Sequence, residues 1–327
     1  MLRASSSGSI RSSGCLNGIA SGPAFRGIFP EAFRICQTAG QGLNARGNSI
    51  MPRLESPPLS LEYAVAGSDS GVPIVLIRGL GTQMIEWSPC LLDGLVGAGF
   101  RVITFDNRDV GLSDRAQVDY ALSDMAHDVV RLLDGLGIDR AAIFGISLGG
   151  MIAQHLAFAY PERIIALFPV MTSSGAPDLP RPAAEVFARL SATASGREST
   201  IAMNAENRAV FGSPDWPEPL EARLAAAALA YERGHYPAGV ARQMRAVVID
   251  GSRVERLRQV RVPTCVIHGL DDPLISFAAG AHVAASIPGA RIEPIPGMGH
   301  NLPDGLVPRI VGIVRDFVSA TRSVAPP

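Results

Sequence analysis

Hydrophobic residues follow two patterns along this chain. From residue 59 onward, short apolar runs of strand length alternate with stretches in which apolar residues recur at helical spacing. The predicted strands cover residues 60–65, 73–77, 100–105, 141–144, 164–170, 263–268 and 291–295, and the predicted helices lie near residues 85–96, 125–136, 149–160 and 306–320.

Most of the predicted strands belong to a parallel sheet. Strands that alternate with helices at this spacing indicate βαβ units, in which helices cover both faces of the sheet. Residues 73–77 are almost wholly apolar, which is typical of a strand buried on both faces. Residues 60–65 alternate at period two, as an antiparallel edge strand does. The fold class is therefore α/β, with a mainly parallel sheet.

Residues 173–250 interrupt the alternation. They form Ala-rich stretches of helical character, such as residues 220–229, and contain no run suited to a buried strand. We predict that they form a helical cap. It is inserted between the two parts of the α/β core, residues 55–172 and 251–327.

Residues 1–54 differ in kind from the rest. They hold six arginines against the single acid Glu31, are rich in Ser and Gly, and show no sustained period. Such a segment buries too little apolar surface to offset its ordering entropy, so we predict that it is disordered. Its composition resembles an organelle transit peptide. We favour a start codon placed too early, with Met51 as the true start, and expect a cytoplasmic protein.

Composition and charge exclude several classes of function. All 29 basic residues are arginine, so a phosphate-binding loop with its lysine, a Schiff-base enzyme and a serine–lysine hydrolase are excluded. A net charge of −1 gives no electrostatic reason to bind nucleic acid. No apolar run reaches the roughly 20 residues of a membrane span. Four scattered cysteines without a C-x-x-C pair indicate reduced thiols and no zinc knuckle.

The strongest chemical signal is the G-x-S-x-G sequence at residues 145–149. It lies between a predicted strand and a predicted helix, and this context gives the motif its meaning. The turn is so sharp that its neighbours must be small, and it exposes the hydroxyl of Ser147 at the carboxyl end of the sheet. We therefore predict that Ser147 is a nucleophile. The alternative is a chance match in a chain with 34 glycines.

A serine nucleophile needs a base, and a base needs a group that orients it. Among six histidines, His300 lies in a loop directly after the last predicted strand, where an imidazole can reach over the sheet edge. The loop after the strand at 263–268 offers two adjacent acids, Asp271 and Asp272. Serine, then Asp, then His is the chain order of α/β-hydrolases. We choose Asp272 and keep Asp271 as an alternative.

An oxyanion hole needs two N–H donors. We assign one to Leu148, which follows the nucleophile, and the other to Leu80 in the loop after the strand at 73–77, with Gly81 as an alternative. The Gly79-Leu80-Gly81 sequence is a weak match to a dinucleotide fingerprint, because the third glycine is missing. The mechanism requires neither a metal nor a cofactor.

Together these motifs resemble the α/β-hydrolase superfamily over about residues 59–321. Within it, the chain looks like the small carboxylesterases related to aclacinomycin methylesterase. The matching pieces are residues 78–81, 105–113, 145–149, 269–273 and 297–300. The resemblance supports Asp272, because the acid of that family lies three residues after the glycine that ends the strand. It also implies that residues 106–113 are structural. Arg78 replaces the more common histidine of the oxyanion loop, and we expect it to place a charge near the pocket mouth.

The resulting hypothesis is a serine hydrolase that cleaves a small-molecule carboxylic ester through an acyl-enzyme. One alternative is hydrolysis of a C–C bond in a β-diketone-like substrate by the same triad. Another is a receptor that binds a small molecule without catalysis. Aromatic and apolar cap residues predict an apolar acyl or aryl pocket, although they could equally form the core of the cap. They are Met203, Phe211, Trp216, Tyr231 and Tyr236.

Overall fold

Eight strands form one sheet in the order β1-β2-β4-β3-β5-β6-β7-β8. The computed structural model describes residues 52–55 and 57–324. The strands are β1 Arg53–Leu54, β2 Leu61–Ala66, β3 Val72–Ile77, β4 Phe100–Phe105, β5 Ala141–Ile146, β6 Ile164–Val170, β7 Cys265–Gly269 and β8 Arg291–Ile295. Strand β2 is antiparallel to both of its neighbours, whereas β4, β3, β5, β6, β7 and β8 run parallel to one another.

Helices connect the strands and cover the sheet. They are α1 Pro89–Gly97, α2 Leu122–Gly135, α3 Leu148–Ala159, α4 Ala184–Ser191, α5 Arg197–Phe211, α6 Leu220–Gly234, α7 Pro237–Asp250, α8 Val254–Leu257, α9 Phe277–Ser286 and α10 Val307–Val324. None of the helices in the described part of the chain is long and apolar enough to cross a membrane.

Strand β3 shows how the core forms on both faces of the sheet. Val75 and Ile77 pack in one buried cluster, which includes residues of α2, α3 and α9. Ile74 and Leu76 point the other way into a second buried cluster, which includes residues of α1 and α10. Successive strand residues face opposite sides, so an apolar run such as β3 can only be buried between two layers of helices. The predicted α/β fold with a mainly parallel sheet is confirmed.

The direction in which the chain winds reverses between β3 and β5. From β3 the chain crosses to β4 on one side, and from β4 it returns to β5 on the other side of β3. At such a point the loops at the carboxyl ends of the two strands diverge and leave a crevice, which is where ligands bind in open α/β sheets. The loops after β3 and β5 carry the residues that the sequence singles out.

The helix predicted at residues 85–96 is interrupted in the structure. A 3₁₀ turn, Met84–Glu86, comes first, and α1 begins only at Pro89. Ser88 separates the two, because its hydroxyl accepts a hydrogen bond from the Cys90 N–H at 3.1 Å and caps the helix. Proline at the first helical position then starts α1, because the N–H that it lacks would have no partner there.

Five helices, α4 to α8, lie between β6 and β7, and the first four of them fall within residues 173–250. This stretch corresponds to the predicted cap, and we keep that name for residues 173–250. The predicted disordered segment, residues 1–54, lies outside the described residues except at its end. There Arg53 pairs with Glu62 and Leu54 with Leu61, forming β1 instead of disorder. Leu54 also packs against the core, which favours the ordered strand.

Both ends of the cap meet at one buried arginine, Arg253, which is 1% exposed. Its guanidinium donates to the Ser173 carbonyl oxygen at 2.8 Å and to Gln154 Oε1 at 2.9 Å, and it forms an ion pair with Asp250. Asp250 Oδ1 also lies 2.8 Å from His155 Nε2. Because Ser173 begins the cap and Asp250 ends its last helix, this cluster fixes the base of the cap.

Asp250→Asn is expected to lower the free energy of unfolding by about 3 kcal/mol at pH 7, because it leaves Arg253 buried without its counter-charge. Burial alone would raise the pKa of Asp250, but the His155 hydrogen bond and the Arg253 charge outweigh burial and hold this pKa below its usual value. A depressed folded-state pKa stabilises the fold above the unfolded value of about 3.9, and this contribution is lost as the pH falls below it. The gap between wild type and variant should therefore shrink toward pH 3.

Urea denaturation at pH 7 and at pH 3 measures this difference. Asp134→Asn is the matched control, because Asp134 pairs with Arg163 at 2.8 Å but its side chain is 60% exposed. An exposed pair contributes about 0–1 kcal/mol. Equal losses in the two variants would contradict a stabilising role for the buried cluster.

Candidate active site

Ser147 lies in a strained turn between β5 and α3. Its backbone has φ 53° and ψ −118°, a left-handed conformation that residues other than glycine rarely adopt. A Cβ atom at Gly145 would collide with the Gly149 carbonyl, and one at Gly149 would collide with the Ile77 carbonyl. Both glycines are therefore required where the turn packs against β3. Strain of this kind persists where the surrounding structure holds it, often at functional sites.

The loop after β3, residues 78–82, lies beside Ser147. A Cβ atom placed on Gly79 would be 3.4 Å from the Cβ of Ser147. Among the described residues, the Leu80 N–H has no hydrogen-bond acceptor, whereas the Gly81 N–H donates to Gln243 Oε1 at 2.9 Å. The Leu148 N–H is the first of α3, so no carbonyl of a preceding turn can accept it. Of the two loop N–H groups considered from the sequence, that of Leu80 has no acceptor among the described residues, whereas that of Gly81 is already hydrogen-bonded.

The Arg78 side chain folds back along its own loop. Its guanidinium carbon lies 4.7 Å from the centre of the Trp87 ring, its Nε donates to Thr82 Oγ1 at 3.2 Å, and its Nη1 donates to the Glu86 carbonyl at 3.3 Å. We expected the positive charge of Arg78 near the pocket mouth. In the structure this guanidinium lies over the indole ring of Trp87, where Thr82 and the Glu86 carbonyl hold it. Burial lowers the pKa of Arg78, with Glu86 opposing the shift. Arginine still remains protonated at neutral pH.

His300 and Asp272 form a hydrogen-bonded pair at the carboxyl ends of β8 and β7. His300 Nδ1 lies 2.7 Å from Asp272 Oδ2, and the Asp272 side chain is fully buried. Because a carboxylate can only accept, Nδ1 carries the proton in this pair, and Nε2 is left as the nitrogen that can take another. The geometry suits an imidazole that acts as a base.

His300 and two backbone N–H groups hold the Asp272 carboxylate. Its second oxygen accepts the N–H groups of Leu274 and Ile275, both at 2.9 Å. His268 Nε2 lies 3.5 Å from Oδ2 and donates to the Ile275 carbonyl at 2.8 Å. Burial would raise the pKa of Asp272, but the His300 charge and the hydrogen bonds outweigh it and hold this pKa well below its usual value. Asp272 therefore stays ionised beside His300.

The adjacent acid, Asp271, has a different set of contacts. Its side chain accepts the Gly297 N–H at 2.8 Å, and its own N–H donates to the Met298 carbonyl at 3.2 Å. These contacts hold the loop that leads to His300, but they do not reach the imidazole. The structure thus brings Asp272 to the ring and Asp271 to the backbone of the loop.

A cap segment, residues 211–216, also holds the loop of His300. The His300 N–H donates to the Phe211 carbonyl at 2.7 Å. Buried Ser213 accepts the Gly299 N–H at 2.9 Å and donates to Asn301 Oδ1 at 2.5 Å. Nothing in the sequence singles out Ser213, because its partners lie more than 80 positions away and the residues around it match no known motif.

Three of the cap residues proposed to line an apolar pocket contact other parts of the protein. Trp216 packs with the main core, and Tyr231 packs in the small core of the cap and stacks on His235. The Tyr236 hydroxyl accepts a hydrogen bond from Arg242 at 2.8 Å. These contacts favour the alternative of a packing role within the protein for these three residues, and the apolar pocket stays a prediction. Met203 and Phe211, both half-buried, stay candidates.

The stretch at residues 106–113 joins the β3 loop to the cap. Asp106 accepts the Met84 N–H at 2.8 Å and pairs with Arg233 of α6 at 2.6 Å. Asn107 donates to the Arg78 carbonyl at 3.2 Å. These contacts agree with the structural role implied by the resemblance. In the described part of the chain, no cluster of three or more His, Cys, Asp or Glu side chains could hold a metal ion.

Known proteins are similar to this chain in sequence. Residues 72–304 match the family described as alpha/beta hydrolase fold. A protein from Azorhizobium caulinodans named as the carbamate hydrolase RutD is 30% identical over 264 residues, which cover 76% of this chain and 91% of that protein. Rhodomycin D methylesterase DnrP from Streptomyces peucetius is 28% identical over 261 residues, which cover 72% and 87% of the two chains.

A solved structure agrees with this assignment. A hydrolase from Pseudomonas aeruginosa PA01 is similar with a TM-score of 0.66 at 29% identity, over 82% of this chain and 97% of that one. The family match spans well over half of the sequence, and the methylesterase relative confirms the resemblance to small esterases of this group. This chain therefore belongs to the alpha/beta hydrolase fold family, and it is a hydrolase by that membership.

Proposed function

We propose that this hydrolase cleaves carboxylic esters through an acyl-enzyme on Ser147, with His300 as the base and Asp272 as the residue that orients it. The observation that carries the proposal is the 2.7 Å hydrogen bond between His300 Nδ1 and buried Asp272, at the same sheet edge as the strained turn of Ser147. A buried carboxylate paired with an imidazole, at the sheet edge that also carries a serine in a strained turn, is the arrangement expected to activate a hydroxyl.

The reaction proceeds in two halves. Ser147 Oγ attacks the ester carbonyl while His300 Nε2 takes the hydroxyl proton, and the N–H groups of Leu148 and Leu80 stabilise the oxyanion. The intermediate then expels the alcohol, which receives the proton from His300, and leaves an acyl group on Ser147. Water attacks this ester, again with His300 as the base, and releases the acid and the free serine.

Three observations bear on the bond that is cleaved. The methylesterase relative favours an ester. The relative named as a carbamate hydrolase favours a second candidate substrate, a carbamate, whose carbonyl carbon bears a nitrogen. The same catalytic groups would also suit hydrolysis of a C–C bond in a β-diketone-like substrate, and a protein of this fold could bind a ligand without turnover.

A panel of substrates separates these functions. We expect p-nitrophenyl esters of graded acyl length to be turned over, with a preference for apolar acyl groups and a burst of p-nitrophenol close to one equivalent of enzyme when deacylation is slow. An aryl carbamate and a meta-cleavage dienoate, followed by absorbance, complete the panel. Turnover of the dienoate alone would identify a C–C hydrolase, and tight binding without any turnover would identify a receptor. Turnover restricted to short, highly charged esters would contradict an apolar pocket.

A further inference from the structure

Gln243 of α7 is a fully buried cap residue that contacts the core on two sides. Its Oε1 accepts the Gly81 N–H at 2.9 Å, across 162 positions of sequence. Its Nε2 donates to the Arg108 carbonyl at 3.0 Å. One amide thus bridges the β3 loop and the stretch at residues 106–113, and both of its polar ends are satisfied by backbone groups.

The neighbouring surface of α7 also fits against the β3 loop. Gly81 has φ 64°, and a Cβ atom placed on it would lie 2.8 Å from the Val240 side chain. Val240 and Gln243 are three residues apart on α7, so they lie on the same face of the helix. Glycine lets this turn approach the helix closely enough for Gln243 to reach its N–H.

The direction of the Leu80 N–H is fixed by the peptide groups on either side of it. Leu80 N–H and the Gly79 carbonyl belong to one planar peptide, so they point in opposite directions. Thr82 binds that carbonyl through its hydroxyl at 3.0 Å and its N–H at 3.3 Å. The next peptide, between Leu80 and Gly81, is fixed by Gln243. Without Gln243, one of these two constraints is removed.

We propose that Gln243 is a positioning residue for the oxyanion hole: by binding the Gly81 N–H it keeps the Leu80 N–H directed toward the reacting carbonyl. The inference rests on the proposed ester hydrolysis by Ser147. It gives this one contact of α7 a part in catalysis, because an oxyanion donor stabilises a transition state only when it is held where the charge develops.

The cap has a second attachment on the same helix, and this provides a matched control. Arg242, next to Gln243, pairs with buried Asp109 through two hydrogen bonds of 2.9 and 2.8 Å. Arg242 is not hydrogen-bonded to the β3 loop; its recorded side-chain partners in the described chain are Asp109 and Tyr236. Loss of this ion pair would destabilise the cap while leaving the Gly81 contact in place.

The test compares Gln243→Met with Arg242→Gln. Methionine has a similar volume but cannot bind the Gly81 N–H, so kcat should fall about 30-fold, with KM within threefold of wild type. Affinity for an arylboronic acid, which mimics the tetrahedral intermediate, should weaken in parallel with kcat/KM. Arg242→Gln should lower Tm but keep kcat and boronate affinity within threefold. If Gln243→Met does not fold, Gln243→Asn replaces it, because its shorter amide cannot span both backbone groups.

Two outcomes would overturn the proposal: unchanged kcat in folded Gln243→Met or in the Gln243→Asn that replaces it, or equal losses of kcat and boronate affinity in Arg242→Gln and Gln243→Met. Gln243→Glu, which keeps the length and the acceptor, should recover most of the kcat lost in Gln243→Met. Residual activity of Ser147→Ala in the same assays distinguishes failure of the proposed function from failure of the role of Gln243. If Ser147→Ala keeps high activity, the proposed function itself fails. If Ser147→Ala is inactive while Gln243→Met stays fully active, only the role of Gln243 fails.

Discussion

Ser147→Ala is expected to lower kcat on p-nitrophenyl esters by about 10⁶-fold, with the protein folded and KM little changed. When a nucleophile, base and acid act as a unit, removal of the nucleophile costs about as much as removal of all three. The remaining activity would come from the oxyanion donors and from substrate binding alone. Steady-state kinetics measures the loss, and mass spectrometry of enzyme treated with an aryl phosphonate should show an adduct on Ser147 of wild type that is missing from the variant.

Ser174→Ala is the matched control for this experiment. Ser174 is fully buried, and its Oγ lies 2.8 Å from His282 Nδ1, so it too is a serine in contact with an imidazole. Unlike Ser147, it does not occupy a left-handed turn between a strand and a helix, and its partner is not paired with a carboxylate among the described residues. We expect the kcat of Ser174→Ala to lie within threefold of the wild-type value. A large loss in Ser174→Ala with retained activity in Ser147→Ala would transfer the nucleophile to Ser174.

The parts of this structure that the sequence predicts are those governed by local rules. Strand β3 is recognisable because a strand buried on both faces is apolar throughout, and the turn at Ser147 is recognisable because two glycines are required within five residues. The interruption before α1 was missed, because the periodicity of residues 85–96 is helical on both sides of Ser88 and the capping hydrogen bond is a single local contact.

Contacts between distant segments are the parts that the sequence does not predict. Gln243 meets Gly81 across 162 positions, and Ser213 meets Gly299 across 86. Nothing in the residues around Gln243 or Ser213 distinguishes a polar side chain that reaches a loop of the proposed site from one that faces solvent. The aromatic cap residues are open to two interpretations for the same reason: an apolar side chain on a helix shows that a face is buried, but not whether a ligand or another helix covers it. Tyr231 and Trp216 are partly buried and pack against other residues of the protein.

These long-range contacts give the cap a role beyond covering the site. Ser213 and the Phe211 carbonyl hold the loop of His300, while Gln243 holds the β3 loop. The cap therefore contacts both loops that carry the proposed base and the proposed oxyanion donor. A displacement of the cap as a rigid unit would break these hydrogen bonds, so we expect the proposed catalytic geometry to depend on the position of the cap.

Asp272→Asn is expected to lower kcat by about 10⁴-fold, the second largest effect. The change keeps the size of the side chain, but the amide can present an N–H where the carboxylate accepted the proton of His300 Nδ1, so the ring is held in the wrong tautomer and the imidazolium loses its counter-charge. Because the pKa of Asp272 is held well below its usual value, the wild-type carboxylate stays ionised throughout the assay range of about pH 5–9. The loss should therefore be present across that whole range when kcat is measured as a function of pH.

Asp271→Asn is the neighbouring and chemically identical change, and it separates the two acids that the sequence leaves open. The asparagine carbonyl can still accept the Gly297 N–H that Asp271 binds at 2.8 Å, so the loop of His300 keeps its support and kcat should stay within about tenfold of wild type. The ratio of the two losses is the decisive quantity, because both variants remove one negative charge from the same turn. A ratio near one would mean that only the local charge matters, and a larger loss in Asp271→Asn would make Asp271 the orienting acid. A ratio of about 10³ in favour of Asp272 requires direct contact with the imidazole, which the 2.7 Å distance to Nδ1 provides.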